Sequence, residues 1–218
     1  LTIGSTVANS LFNDGGFQLT SPGTLNLTSG TLKLGSAGAA TTFPAFGTMN
    51  IAAGTTVEYA AGVAQTVSST PNYQNLTLSS SSTKTLAGAV TVNGNLTIGA
   101  GTTLDASASN YAVNVAGNWS NSGAFTAGTG TVTFNGVNPQ SVISGASDFN
   151  VITIKNTSTG GVSFVDRLVT ATLNAQGSDG VKKISFATAS AVMPNVISTA
   201  FNVNGLNSSN LLELAPVT

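Results

Sequence analysis

Short runs of alternating apolar and polar residues recur along the whole chain, separated by clusters of Gly, Asn and Ser. Val90-Thr91-Val92 and Leu96-Thr97-Ile98 alternate, as do Val113-Asn114-Val115 and Val132-Thr133-Phe134. A period of two sends one side of each run to a core and the other to water, so each reads as a short β-strand. The apolar members are the predicted interior: Leu76, Leu78, Val90, Val92, Leu96, Ile98, Val113, Val115, Val132, Phe134, Ile152 and Ile154. Burying each such side chain contributes roughly 1.5–3 kcal/mol. No stretch carries a helical period, and positions 187 to 200 show the least clear pattern.

The strands belong to longer repeats. Gly54-Thr55-Thr56-Val57-Glu58-Tyr59, then Gln65-Thr66-Val67, then Tyr73-Gln74-Asn75-Leu76-Thr77-Leu78 form one series. It returns as Gly130-Thr131-Val132-Thr133-Phe134, then Gln140-Ser141-Val142, then Phe149-Asn150-Val151-Ile152-Thr153-Ile154. The glutamines lie 75 residues apart and the leading aromatics, Tyr73 and Phe149, lie 76 apart. Leu1-Thr2-Ile3-Gly4 likewise returns as Leu96-Thr97-Ile98-Gly99. This divides the chain into a first repeat unit at 1–95 and a second at 96–218, the latter ending in a cap or an exchanged strand. One continuous β domain is the alternative.

Fixed-distance self-similarity predicts a β-solenoid, a right-handed parallel β-helix built from imperfect repeats. An antiparallel β-sandwich is the competing architecture. Asn93-Gly94 lies between two alternating runs, a hairpin signal that favours the sandwich locally, with Asn135-Gly136 and Asn204-Gly205 as weaker cases.

Composition narrows the function. Charged residues make up 6% of the chain and hydrophobic ones 41%, against roughly 25% charged in an ordinary soluble domain. The six Lys and Arg residues are scattered, apart from the pair Lys182-Lys183, so no basic face for nucleic acid is visible. No apolar run reaches membrane-spanning length. The chain opens in a strand-like run, which reads as a segment whose targeting signal was removed.

Positions 94 to 136 include Gly-Asn-Leu-Thr-Ile-Gly-Ala-Gly-Thr-Thr-Leu-Asp and Val-Ala-Gly-Asn-Trp-Ser-Asn-Ser-Gly. This stretch resembles the repeats of large bacterial exported surface proteins of the haemagglutinin-like adhesin type, as found in Bacteroidetes. Positions 54 to 88 resemble the companion repeat, and the resemblance spans roughly positions 23 to 175. It implies an extracellular or cell-surface location and a role as stalk, adhesive surface or spacer, and it brings no catalytic residues.

The side chains point the same way. There is no His and no Cys, which removes the usual zinc and haem ligands and any Ser-His-Asp triad. Glycoside cleavage needs two carboxylates about 5 to 10 Å apart; Glu58 and Asp105 are the candidates, read first as solvent-facing. Asn13-Asp14-Gly15-Gly16 and Ser178-Asp179-Gly180 offer oxygens for calcium but read first as turns. Trp119, the only tryptophan, reads as packing in a turn-like stretch, with sugar stacking as the alternative. Ice binding would need an evenly spaced Thr ladder, and the sequence shows none. Of the six Asn-x-Ser/Thr sequons, among them those at Asn75, Asn95 and Asn118, most are what an Asn-, Ser- and Thr-rich chain supplies by chance.

The expectation is therefore a structural subunit of an extracellular bacterial filament, stalk or matrix, not an enzyme, with no cofactor and no metal. A glycan- or surface-binding adhesin module is the alternative, and a polysaccharide-degrading β-helix the less favoured one. The expected partner is a second copy, head to tail, with surface glycans as the other candidate. The self-association residues are Leu1, Thr2 and Ile3 at one end and Leu211, Leu212, Leu214 and Val217 at the other, because unblocked strand edges template further pairing.

Overall fold

The computed structural model describes residues 1–4, 10–20, 23–187, 194–204 and 213–216. Every strand pairing among them is parallel. The chain is a β-solenoid, and the sandwich is excluded.

Ten strands form one long sheet, running from Leu11–Asn13 through Thr31–Leu34, Thr56–Tyr59, Asn75–Leu78, Leu96–Ile98, Trp119–Asn121, Gln140–Ile143, Val162–Phe164 and Lys183–Phe186 to Glu213–Pro216. A second sheet stacks six strands from Val90–Val92 to Val196–Asn204, and a third stacks four from Gln65–Val67 to Ala124–Thr126. A short N-terminal sheet holds Thr2–Ile3, Thr24–Leu27 and Thr48–Ile51. In the central rungs the chain visits the long, third and second sheets in that order. The third sheet ends at Ala124–Thr126, and later rungs pass from the long sheet directly to the second. The long ladder crosses the boundary between the two repeat units, with Leu96 opposite Leu76.

All twelve predicted interior residues are buried. Parallel stacking brings like positions over one another, so the core is a set of columns. Val90, Val113, Val132, Ile152 and Leu173 form one such column.

The Asn-Gly signals mark corners. Val90–Val92 and Leu96–Ile98 belong to different sheets, and the Asn93 N–H donates to Tyr73 O at 2.8 Å, in the adjacent rung. Neither Asn93 nor Gly94 has the positive φ that the hairpin turn needs. Glycine is required here by contact: a Cβ on Gly94 would lie 2.5 Å from Gln74 O, and one on Gly136 would strike Ala116 O. Gly205 lies outside the described residues.

The 75-residue repeat has a structural cause. Gln65 accepts the Ala61 N–H at 3.0 Å on Oε1 and donates from Nε2 to Leu34 O and Thr41 O at 3.1 and 2.9 Å. Gln140 does the same, accepting the Gly136 N–H at 2.9 Å and donating to Val115 O and Gly117 O. Each glutamine is a buried clamp that ties its own corner to the rung before it. The two occupy different faces, because Gln65 opens a strand of the third sheet and Gln140 one of the long sheet. The repeat length is not a whole number of rungs, so successive copies are rotated about the solenoid axis.

Candidate functional site

Thr2 pairs with Asn26 and Ile3 with Leu27 at the edge of the N-terminal sheet. Ile3 is buried against the chain's own core, while Leu1 is exposed. Leu214 sits opposite Ile184, in the last described strand of the long sheet. Leu211, Leu212 and Val217 lie outside the described residues. The other edge of the long sheet is Leu11–Asn13, with Leu11 62% exposed. The second sheet ends in Val196–Asn204, where Phe201 stacks on the fully buried Leu173 yet is itself 47% exposed. The sequence reading missed both Leu11 and Phe201. Leu11-Phe12 was visible as an apolar pair in a polar stretch, whereas Phe201 lies next to the region without clear periodicity.

The candidate carboxylates do not meet. Glu58 is on the long sheet, 3.5 Å from Lys33 Nζ, and accepts the Ser79 hydroxyl at 2.5 Å. Asp105 is on the third sheet and accepts the Ser107 N–H and hydroxyl at 2.8 and 2.6 Å. Asp14 is buried and saturated: its carboxylate accepts the Gly16 and Gly35 N–H groups, both at 2.8 Å, and the Thr41 hydroxyl at 2.5 Å. Asp179 ends a 3₁₀ turn closed by Gly180 at φ 85°. Among the described residues no three Asp or Glu side chains gather at one place.

Trp119 begins the strand Trp119–Asn121 and points inward, which corrects its reading as part of a turn. Its ring packs on Phe125, Phe149 and Phe134 with centroids 5.0, 5.4 and 6.3 Å away. Sugar stacking on its face is excluded, and its buried Nε1–H has no hydrogen-bond partner.

Two buried polar groups were missed by sequence reading. Lys84 is fully buried, and its ammonium donates to Ala61 O, to Ser81 O at 3.1 Å and to Val63 O at 3.5 Å. Burial lowers its pKa from the usual lysine value. The signal was its parity: Lys84 and Leu86 are two apart in the strand Ser82–Leu86 and so share a face. The preceding Ser80, Ser81 and Ser82 all hold positive φ, at 62°, 67° and 63°, a left-handed run that costs roughly 1–2 kcal/mol per residue. Tyr59 and Tyr73 share a hydrogen bond of 2.8 Å between their hydroxyls, and Ser68 supplies a backbone N–H to one and a carbonyl to the other. Burial pushes Tyr59 up to about 12 and raises Tyr73 as well.

The outer surface carries polar ladders that chain spacing conceals. Asn75, Asn95 and Asn118 stack on the long sheet, each side-chain oxygen accepting a backbone N–H of the next rung at 2.8–2.9 Å. On the second sheet Thr91, Asn114, Thr133, Thr153, Asn174 and Asn202 form one charge-free column. Comparison with protein-family models, curated proteins and solved structures finds no match to this chain.

Proposed function

We propose that the chain is a structural segment of an extracellular bacterial filament, stalk or matrix, without catalytic activity, that associates with copies of itself through its sheet edges. The observation that carries this reading is the ten-stranded ladder, bounded among the described residues by Leu11–Asn13 and Glu213–Pro216. Such edges present backbone donors and acceptors that a strand of another copy satisfies with little demand on sequence. The second sheet supports the same direction of growth, since Phe201 ends an otherwise buried column half exposed. A head-to-tail contact that does not close produces a filament.

Electron microscopy and size-exclusion chromatography of the purified chain test the reading. Filaments or large oligomers are expected, and Leu11→Lys or Phe201→Lys, which set a charge at a sheet edge, are expected to reduce them while the β circular-dichroism signal stays. A chain that remains monomeric at high concentration, or assembly unaffected by either lysine, refutes self-association. Polysaccharide turnover that disappears in Glu58→Gln or Asp105→Asn refutes the non-catalytic reading.

A further inference from the structure

The fold treats two Asn-Gly corners of the same sequence in opposite ways. Asn93 and Asn135 are both exposed. At the second corner Gly136 is buried, and its N–H donates to Gln140 Oε1 at 2.9 Å. At the first corner Gly94 is half-buried, and among the described residues its N–H has no hydrogen-bond partner. The chain is fixed on either side of that N–H. The Asn93 N–H donates to Tyr73 O at 2.8 Å, and Gly94 O accepts the Gly117 N–H at 2.9 Å. The Gly94 nitrogen is thus a free group at water's edge, directly after an exposed asparagine.

We propose that Asn93 is a site of spontaneous covalent modification, deamidation through a cyclic imide, and that the Gln140 clamp protects Asn135 from the same reaction. Hydroxide takes the Gly94 N–H proton, and the nitrogen forms a bond to Asn93 Cγ. The Cγ–Nδ2 bond breaks, and Nδ2 leaves as ammonia with a proton from water. Water then opens the imide at either carbonyl, giving aspartate or isoaspartate. Nothing is oxidised or reduced. Glycine in the following position leaves the attacking nitrogen unhindered by a side chain. At Gly136 the same attack must first strip the N–H from Gln140 Oε1, and a buried donor without its partner is unfavourable. The products at Asn93 are a carboxylate at the corner, or one extra main-chain carbon between the hydrogen bonds to Tyr73 and Gly117. The site stands independently of the assembly reading.

Peptide mapping tests the proposal. The intact chain is incubated in mildly alkaline buffer, digested at intervals, and followed by mass spectrometry for conversion of each asparagine to the acid. In the folded chain Asn93 is expected to convert about tenfold faster than Asn135, or more. About 1.4 kcal/mol on a barrier is tenfold in rate, and an unpaired buried donor costs that order. In the urea-unfolded chain the two rates should converge. Gln140→Ala, with its β circular dichroism checked, frees the Gly136 N–H and should speed Asn135 toward Asn93. Gln140→Glu keeps an acceptor there and should leave Asn135 slow. Equal rates at the two sites in the folded chain, faster conversion at Asn135, or an Asn93 that converts in urea but survives in the folded chain overturns the proposal. A folded Gln140→Ala chain in which Asn135 stays slow overturns the protective role of the clamp.

Discussion

Replacing Gln140 by alanine tests whether the corner clamp is what the repeat preserves. The side chain makes four hydrogen bonds: it accepts from Gly136 N and Asn156 Nδ2 and donates to Val115 O and Gly117 O. Not all four groups are stranded by its removal. Val115 O still receives the Asn135 N–H, and Asn156 Nδ2 still reaches Asn138 O. The loss centres on the Gly136 N–H and the Gly117 carbonyl. A buried group left without its partner costs about 1–3 kcal/mol, so with two such groups the variant should lose about 2–6 kcal/mol, read by urea denaturation followed by circular dichroism. Gln140→Glu separates the hydrogen bonds from mere packing. The glutamate keeps the acceptor for Gly136 but turns an oxygen toward two carbonyls, which favours its protonated form and raises its folded pKa. A raised pKa gives stability that is present below the unfolded value of about 4.3 and is lost as pH rises through the folded value. The glutamate variant should therefore be more stable in acid, relative to the unmodified chain, than at neutral pH. A cost under about 1 kcal/mol for the alanine, or a flat pH profile for the glutamate, removes the clamp as the reason for the repeat.

Gly94→Ala should cost about 1–3 kcal/mol, because its Cβ meets Gln74 O at 2.5 Å; an unchanged urea midpoint would show that the corners have slack. The Tyr59–Tyr73 pair should make the fold alkali-sensitive. Folded Tyr59 ionises near 12 against 10.0 for the ordinary phenol, so its contribution holds below pH 10 and is lost between those values, and the double Phe variant should show a flatter stability curve there. Lys84 acts with the opposite sign. Its folded pKa lies below the ordinary 10.5, so the unfolded chain holds more protons as pH approaches that value, and stability should rise with alkalinity relative to Lys84→Met. Parallel curves for the two proteins would place the ammonium in water instead.

Alternation carried most of the fold. Parity survives any loop length, which is why every predicted interior residue from Leu76 to Ile154 is buried. The same parity puts Lys84 on the inward face with Leu86, although lysine is among the residues least often fully buried. Asn-Gly misled for a physical reason: glycine serves either positive φ or close approach, and a sequence does not distinguish them. Rung length was hidden because the 75-residue repeat combines full rungs with a rotation of one face. At the ends, Ile3 reads as a free strand but is paired to Leu27 and buried. Phe201 escaped because the second sheet slips register between Thr170 and Thr172, and its last strand has no clean inward–outward burial pattern.

The fold also explains the scarcity of charge, and this changes what that scarcity means. In a parallel ladder each outward side chain sits directly over its counterpart, about 4.8 Å away. Two like charges at that distance repel by about 1 kcal/mol in water and several times more near a protein surface, and the penalty recurs at every rung of a charged column. Thr, Ser and Asn avoid it. Asn also gains from stacking, as Asn75, Asn95 and Asn118 show by accepting a backbone N–H from the next rung. Where charges do stand in adjacent rungs they are opposite: Lys33 is in register with Glu58, 3.5 Å away. The 6% charge is thus a requirement of stacking, and it is not independent evidence for adhesion or assembly. The assembly reading rests on specific features instead: the edges at Leu11–Asn13 and Glu213–Pro216.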